Sequence, residues 1–233
     1  MSTSDKRVVA GLVEPDPASV RRVQLTDDLV AVFSQRASAV GMCVSRTTAD
    51  NVGAHVANLL DTMGKPRALL ESLATGTGAL SASSPTGSPS LQEEKGFRWK
   101  LLIEPSLFCR SSITSTLADR ADLLDAGSGD KAMFTAHAGI TGVTAAVAET
   151  GSLVCSSGPD LWRGMSLIPP VHIAVVRVDQ IVPDLVDLLG GLSSCRLPAS
   201  LSVITGPSKT ADIEGILITG VHGPGAVWIC VVE

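Results

Sequence analysis

The chain has 233 residues, a formal net charge of −5 and a pI near 5.4, so it can bury a sizeable core but is too acidic to favour nucleic acid as a partner. Hydrophobic residues make up 45% of the chain and aromatic residues only 3%, which indicates a core of aliphatic side chains in a parallel sheet covered by helices. No stretch approaches the roughly 18 uncharged apolar residues of a membrane span, and the N-terminus is too polar for a signal peptide, so we expect a cytoplasmic protein.

Apolar residues at helical and strand spacing predict that the two kinds of element alternate along the chain. Residues 1–24 are expected to form an N-terminal arm, and residues 25–233 a single α/β domain. The segment 74–96, rich in Ser and Gly, is expected to be a flexible loop, either solvated or acting as a lid. Helices are predicted at residues 25–40, 52–63, 111–124 and 181–191, and strands at residues 41–45, 67–71, 99–103, 171–176 and 226–232.

Two short aliphatic runs, residues 143–149 and 152–155, predict an antiparallel hairpin within this otherwise parallel pattern. The runs meet at Thr150 and Gly151, and glycine can adopt the positive φ that a hairpin turn needs. Glu149 stands at the tip, where its carboxylate is either a catalytic or ligand-contacting group or a solvated turn residue.

The stretch TGPSKTADIE, residues 205–214, is the expected centre of a ligand site. A short apolar run at residues 201–204 predicts a buried strand before it. Helical spacing of Ile213, Ile216 and Leu217 predicts a helix after it. Such strand–turn–helix corners lie at the carboxyl edge of a sheet, where ligands of open α/β folds bind.

The predicted corner would attract a small anion such as a carboxylate or phosphate. The free N–H groups of a first helical turn favour negative charge, and Lys209 adds a positive charge beside them. The candidate ligand-binding residues come from three places. They are Thr150 and Gly151 of the hairpin tip, Thr205, Gly206, Ser208, Lys209 and Thr210 of the corner, and Gly223 of a later glycine-rich turn. The alternative is an ordinary capped helix whose dipole is offset by the acidic residues of its first turn.

Glu149, His172 and His222 are the catalytic candidates. The carboxylate would act as a base or nucleophile, and an imidazole as a proton donor or acceptor. His172 interrupts a buried aliphatic strand, so a core residue with satisfied hydrogen bonds is the alternative for it. No G-x-G-x-x-G motif follows a strand, which argues against a dehydrogenase that binds a dinucleotide.

The cysteines and histidines predict no metal or cluster cofactor in this chain. The five cysteines are scattered, without a C-x-x-C pair, and the four histidines form no H-x-x-x-H pair. Zinc ribbons and iron–sulfur clusters take their ligands from closely spaced cysteines. Reduced core thiols are therefore expected.

Four motifs in chain order resemble the LUD-domain family, and more narrowly its small LutC/YkgG-type members. They are GITGVTAAVAETGSLV, SLIPPVHIAVV, TGPSKTADIE and GVHGP. The resemblance is dense from residue 136 onward and weak over residues 1–130. It implies a three-layer α/β/α fold similar to the NagB/RpiA/CoA-transferase group, with a mostly parallel sheet. It also implies a place in bacterial oxidation of L-lactate to pyruvate, with iron–sulfur clusters carried only by partner proteins.

Two functions remain open at this point, and they differ in whether the chain is an enzyme. The first is a component of a lactate-oxidising complex that docks iron–sulfur subunits and holds a small anionic ligand. The second is a stand-alone acyl- or CoA-transfer or cyclo-ligase-like enzyme that uses Glu149. A regulatory ligand sensor on the same scaffold is a third reading of the same residues.

Overall fold

The computed structural model describes residues 22–24, 27–64, 97–193, 197–211, 217–220 and 222–233. In these ranges the helices are α1 Leu29–Ala39, α2 Val52–Met63, α3 Arg110–Leu117, α4 Asp130–Thr135, α5 Gly164–Leu167 and α6 Leu185–Ser193. The strands are β1 Cys43–Thr47, β2 Trp99–Ile103, β3 Ala121–Leu124, β4 Ala138–Thr141, β5 Ala145–Val147, β6 Ser152–Ser156, β7 Val171–Arg177, β8 Ile181–Val182, β9 Leu201–Ile204, β10 Lys209–Ala211, β11 Leu217–Thr219 and β12 Ala226–Val232.

A six-stranded sheet in the order β1-β12-β7-β4-β2-β3 forms the centre of the fold, and all its pairings are parallel. Its long strands β7 and β12 are the predicted aliphatic runs, and every residue of β7 except Arg177 is buried. Because such strands have almost no polar side chains to expose, both faces of the sheet must be covered.

Helices α2 and α3 cover one face of this sheet. Val56 of α2 and Ile113 of α3 pack against Leu101, Ile140 and Ile173 from three neighbouring strands. The predicted helix 52–63 is confirmed, since its apolar residues at helical spacing are the ones that enter this core. Burial of these aliphatic side chains contributes roughly 25 cal/mol per Å² of apolar surface removed from water.

The other face is covered partly by helices and partly by a second sheet. Phe33 of α1 and Leu153 of β6 pack on Ala174 and Val231, while Leu102 packs on the side of α4 and α5. The second sheet has the order β8-β5-β6-β9 and contains the predicted hairpin, which is confirmed as the antiparallel pair β5–β6. The predicted class, α/β with a mostly parallel sheet flanked by helices and one hairpin, is confirmed.

The chain reverses its direction of travel across the sheet between β2 and β4. From β2 it passes through α3 to β3 on one side, and it then returns through α4 to β4 on the other side of β2. Leu101 and Leu102 point to opposite faces, towards α3 and α4 respectively. This arrangement is a topological switch point, which leaves a crevice outside the carboxyl ends of β2 and β4.

The sequence prediction was wrong after β9, where the expected helix is an antiparallel hairpin. Lys209–Ala211 pairs with Leu217–Thr219, so the residues after the turn form strands. The helical interpretation rested on three apolar residues, a pattern too short to outweigh strand pairing. Two of them, Ile213 and Ile216, lie outside the described residues.

The helix predicted at residues 111–124 is also two elements. Helix α3 ends at Leu117, and Ala121 begins β3, which pairs in parallel with β2. The spacing of Leu117, Ala121 and Leu124 imitates one helical face across the boundary. The guanidinium of Arg98 donates to three carbonyl oxygens in the intervening turn and at the start of β3, which stabilises the break.

The helix predicted at residues 181–191 begins later and ends later than expected. Ile181 belongs to β8, which pairs in parallel with β5, and the helix is Leu185–Ser193. Gly190 and Gly191 were expected to end it but lie inside it. A glycine within a helix lowers helix stability by only about 1 kcal/mol relative to alanine, so packing elsewhere in the helix can offset this loss.

Some predictions fall on residues that the structure does not describe. The strand at 67–71, the loop at 74–96 and nearly all of the arm at 1–24 lie outside the described residues. None of the helices in the described ranges combines the length and the apolar character that crossing a lipid bilayer requires.

Candidate functional site

A cavity of about 310 Å³ opens at the switch point. It is lined by the residues that follow β2 and β4, by the carboxyl end of β7, by β6 of the second sheet, and by residues 161–166. Gly139 permits this arrangement, since a Cβ there would clash with the carbonyl oxygen of Met165 in α5. The volume lies at the lower end of the range typical of small-molecule sites, roughly 300–1,000 Å³.

Glu104 places a buried carboxylate at the cavity floor. It directly follows β2, is 9% exposed, and accepts a hydrogen bond from the Gly142 N–H at Oε2 (3.0 Å) and another from Ser106 Oγ at Oε1 (2.9 Å). Burial raises the pKa of Glu104, and these two hydrogen bonds partly oppose that rise. The carboxylate therefore bridges the ends of β2 and β4 across the switch point.

His172, a predicted catalytic residue, lies behind the cavity wall. It is fully buried, its Nε2 is 2.9 Å from Thr141 Oγ1, and its Nδ1 has no hydrogen-bond partner among the described residues. Burial lowers the pKa of His172 to about 4, so the ring is neutral at pH 7. A proton on Nε2 leaves Nδ1 as a bare lone pair and avoids an orphaned N–H. In this tautomer His172 donates to Thr141, which itself lines the cavity.

Cys155 of β6 lies beside this pair and also lines the cavity. Burial and the nearby charge of Glu104 raise the pKa of the Cys155 thiol to about 12, against hydrogen bonds with Thr141 and Ser166 that lower it. Because the thiolate is the reactive form of cysteine, this thiol is a poor nucleophile at neutral pH. Cys155 thus contributes shape and a weak hydrogen-bonding group.

Two arginines stand at the rim of the cavity. Arg177 donates through Nε and Nη2 to Asp179 at 2.9 and 3.1 Å, and its guanidinium lies 5.9 Å from the ring centre of Phe108. Arg163 donates to Ser200 Oγ at 3.5 Å, and no carboxylate of the described residues forms an ion pair with it. The cavity therefore has a cationic rim above an acidic floor.

The predicted hairpin tip and turn meet through hydroxyl groups. Thr150 Oγ1 lies 2.7 Å from Ser152 Oγ, which in turn lies 2.7 Å from Thr205 Oγ1. Gly151 packs on the last turns of α1, where any Cβ would clash with the backbone nitrogen of Ala37. Thr150, Gly151 and Thr205 are thus brought together, by a serine that the sequence analysis did not single out.

The remaining corner residues lie in a turn without a helix N-terminus. The Ser208 N–H donates to Pro224 O at 2.8 Å, and the Ser208 carbonyl accepts from the Gly220 N–H at 2.8 Å. Gly206 packs under the carbonyl of Val40, and Gly223 against the side chain of Ser208. Lys209 and Thr210 belong to β10. The free helical N–H groups on which the predicted anion site depended are absent from these described residues.

Glu149 and His222 lie outside the cavity. The Glu149 N–H donates to Pro183 O at 2.9 Å, and its carboxylate is 3.9 Å from the guanidinium of Arg22. His222 is exposed and, with His137, lines a second cavity of about 430 Å³ at the amino-terminal ends of β4 and β7. Neither Glu149 nor Ser208 lines the switch-point cavity, so the convergence of Glu149 and Ser208 on one ligand stays a prediction.

Sequence reasoning missed Glu104, Thr141, Arg163 and Arg177. A signal for Glu104 was present, since it is an acidic residue directly after a predicted buried strand, at the edge where α/β proteins bind ligands. Arg163 carried no such signal, because it lies in an irregular segment whose position depends on the tertiary fold. In the described part of the chain, no group of three or more His, Cys, Asp or Glu side chains is arranged to hold a metal ion.

A parallel doubly wound sheet with a cavity at its switch point defines a protein of the α/β class. Its fold is similar to a crystal structure of a DUF162 family protein from Deinococcus radiodurans, with a TM-score of 0.56 and 21% identity, covering 88% of this chain and 96% of that one. The LUD domain model matches residues 30–232. The chain therefore belongs to the LUD-domain family.

Several bacterial relatives have the name lactate utilization protein C. The protein from Halalkalibacterium halodurans is 27% identical over an alignment of 241 residues that covers 97% of this chain and 91% of the relative. The match to the Bacillus subtilis protein is 38% identical over 94 residues, or 38% of this chain and 39% of that protein. The Deinococcus radiodurans protein is 39% identical over 99 residues, covering 42% and 47%.

Proposed function

We propose that this chain is a component of bacterial L-lactate utilisation, the oxidation of L-lactate to pyruvate, and that it binds a small organic anion. The observation that carries the proposal is the alignment with the Halalkalibacterium halodurans lactate utilization protein C across 97% of this chain and 91% of the relative. A single LUD-type domain over residues 25–233 is part of the proposal. The match of the family model to residues 30–232 supports it.

The switch-point cavity is the ligand site that the geometry favours. Arg163 and Arg177 stand at its rim, and each charge-assisted hydrogen bond to a ligand contributes roughly 1.5–3 kcal/mol. Two such bonds would contribute roughly 3–6 kcal/mol towards holding a small acid, against the entropy cost of association. The turn at Gly206, Ser208 and Lys209 is a second candidate for anion binding, with Lys209 as its cation.

In this proposal the electron-transfer chemistry belongs to iron–sulfur partner proteins. This chain docks against them and binds a small organic anion, and it needs no cofactor of its own. The resemblance of four ordered motifs to the LUD-domain family supports this division of roles.

Deletion of the gene tests the role in lactate utilisation. We expect the deletion strain to lose growth on L-lactate as sole carbon source and to grow normally on pyruvate, with growth restored by the wild-type gene. Normal growth of the deletion strain on L-lactate excludes the proposal. A tagged chain purified from lactate-grown cells should also retain proteins that contain iron and acid-labile sulfide. A pure chain without such proteins excludes the docking role.

A stand-alone acyl- or CoA-transfer enzyme is the second candidate. The hydroxyl chain that joins the hairpin tip to Thr205, next to the half-buried carboxylate of Glu149, favours it. Attack of that carboxylate on an acyl-CoA would form an acyl adduct on Glu149 and release one CoA. Intact-mass analysis after incubation with acetyl-CoA tests this candidate. An unmodified mass, or the same adduct on a Glu149→Gln variant, excludes it.

A further inference from the structure

We propose that the switch-point cavity takes an elongated organic anion with three parts: an anionic group at Arg163 and Arg177, an apolar middle, and a hydrogen-bond donor at the far end accepted by Glu104. This inference rests on the proposed function and deepens it by naming the class of ligand for the same cavity.

The order of the three parts follows from the exposure of the lining residues. Glu104, Thr141 and Ser166 are buried, at 9%, 5% and 3% exposure, and they form the floor. Arg163 and Arg177 are exposed and form the rim. A ligand that uses both ends must therefore have its charged group and its donor group at opposite ends.

The floor can accept a hydrogen bond from a ligand. Among the described residues each oxygen of Glu104 accepts one hydrogen bond, from Ser106 and from Gly142, and a carboxylate oxygen has room to accept a second. A donor that reaches the floor can therefore bind to Glu104. A hydroxyl or ammonium group on the ligand would supply this donor.

The middle of the cavity is apolar. Leu161 and Trp162 line it and are half-buried, between the exposure of floor and rim, while the buried Leu107 lies with the floor and the exposed Phe108 with the rim. Ligand sites of this kind bury most of the ligand surface against apolar and aromatic side chains. A three-carbon acid has no group that fills this part of a cavity of about 310 Å³.

The charges at the rim favour one anionic group. Arg177 shares Nε and Nη2 with Asp179, which leaves Nη1 for a ligand. The side chain of Arg163 has, within the described part of the chain, only a long contact with Ser200. Arg163 is therefore the principal cation and Arg177 the second. A carboxylate fits this pair because guanidinium groups bind its oxygens with directed hydrogen bonds.

Titration calorimetry on the purified full-length chain tests the inference, with 3-(4-hydroxyphenyl)propanoate as the probe. Each of three analogues lacks one part: 3-phenylpropanoate lacks the donor, 3-(4-hydroxyphenyl)propanamide lacks the charge, and L-lactate lacks the apolar middle. We expect each analogue to bind about ten-fold or more weakly than the probe, the effect of one lost interaction with a charged or apolar group. Failure of the probe to bind at millimolar concentration, or equal binding of L-lactate, overturns the inference.

A pair of Glu→Gln variants tests whether the probe contacts Glu104. Glu104→Gln should weaken the probe about ten-fold yet leave 3-phenylpropanoate unchanged, because only the probe reaches that carboxylate with a donor. Glu233→Gln, the same change at an exposed residue that pairs with Arg46 away from the cavity, should have no effect. If Glu149→Gln abolishes probe binding and Glu104→Gln does not, the probe binds at the hairpin tip and not in the switch-point cavity.

A second matched pair tests the rim. Arg163→Gln should weaken the probe but not its uncharged amide analogue, whereas Arg120→Gln should change neither, because Arg120 pairs with Asp61 away from the cavity. Equal affinities in Arg163→Gln and the wild type overturn the assignment of the anionic group. Thermal unfolding shows whether each variant is folded.

The outcomes separate this inference from the proposed function. If the deletion strain grows poorly on L-lactate but the purified chain does not bind the probe, the proposed ligand class is wrong and the role in lactate utilisation is supported. If the chain binds the probe but the deletion strain grows normally, the role is wrong and the ligand class is supported.

Discussion

His172 shows how one buried side chain sets the state of its neighbours. The ring is fully buried, and burial lowers its pKa to about 4, so it remains neutral through the physiological range. A neutral ring that donates from Nε2 turns the Thr141 hydroxyl proton towards Cys155 and the cavity. His172 is therefore a positioning residue for the cavity wall.

The buried histidine makes stability depend on pH. In the unfolded chain His172 gains a proton below its ordinary pKa of 6.5, whereas the folded chain resists protonation until about pH 4. The stabilisation is therefore complete above pH 6.5 and is lost as the pH falls from 6.5 to 4, by on the order of 3 kcal/mol for this group. We expect urea unfolding to give a lower free energy of unfolding at pH 4.5 than at pH 7.

The control for this prediction is a His172→Gln variant, whose amide can still donate to Thr141 but does not titrate. Its loss of stability between pH 7 and pH 4.5 should be smaller than that of the wild type. His55 and His137, whose pKa values burial also lowers, are common to both proteins. An equal loss in the two proteins would show that His172 does not carry the effect.

At the scale of elements, the hairpin β5–β6 depends on one glycine. Gly151 has φ 66° in the turn, and it packs so closely on α1 that a Cβ would clash with the backbone of Ala37. The turn thereby joins the second sheet to the end of α1. Both the backbone conformation and the space permit only glycine here.

A pair of glycine substitutions separates conformation from packing. Gly64, which ends α2, has a similar φ of 69°, but no atom of the described residues lies within 4 Å of an added Cβ. Gly64→Ala should cost about 1–2 kcal/mol from backbone strain alone. Gly151→Ala should cost about 1–3 kcal/mol more, because the clash forces α1 away from the turn. Chemical denaturation measures both, and equal costs would contradict the close contact with α1.

At the scale of the whole molecule, the central sheet is covered on both faces. Ile173 of β7 is fully buried in the core beneath α2 and α3, whereas Leu189 on α6 is 61% exposed. The aliphatic core therefore depends on the central strands, and the outer face of α6 contributes little to it.

Matched truncations test this distribution of stability. Ile173→Ala should lower the free energy of unfolding by about 2–5 kcal/mol, because it removes buried methylenes and leaves a cavity. Leu189→Ala should change it by no more than about 0.5 kcal/mol. Urea unfolding followed by circular dichroism gives both values. A large effect at Leu189 together with a small one at Ile173 would contradict the described packing.

Much of the fold could be predicted from the sequence, because long aliphatic runs can lie only in strands that are buried on both faces. The strands at residues 99–103, 171–176 and 226–232 were identified correctly, since only a position covered on both faces accepts such runs. The helix at 52–63 was identified because its apolar spacing has a helical period. Residues 209–211 and 217–219 were not identified correctly, because three apolar residues do not specify a period and the pairing of β10 with β11 decided the structure there.

The candidate site was less predictable than the fold. His172 was named as a catalytic candidate, and that role stays a prediction. Its partner Thr141 comes from a different strand, and Glu104, Cys155 and Arg163 come from three further segments of the chain. Glu104, Thr141, Cys155 and Arg163 share a cavity only because β2 and β4 are neighbours at a switch point.

Composition and periodicity by themselves determined that this chain is an α/β protein with an aliphatic parallel sheet, since burial of such runs is a local requirement on each strand. Its motifs also determined the LUD-domain family. Only the tertiary structure decided where a cavity forms. The order of strands in the sheet, which depends on contacts between distant segments, brings an acidic floor and a cationic rim around one cavity.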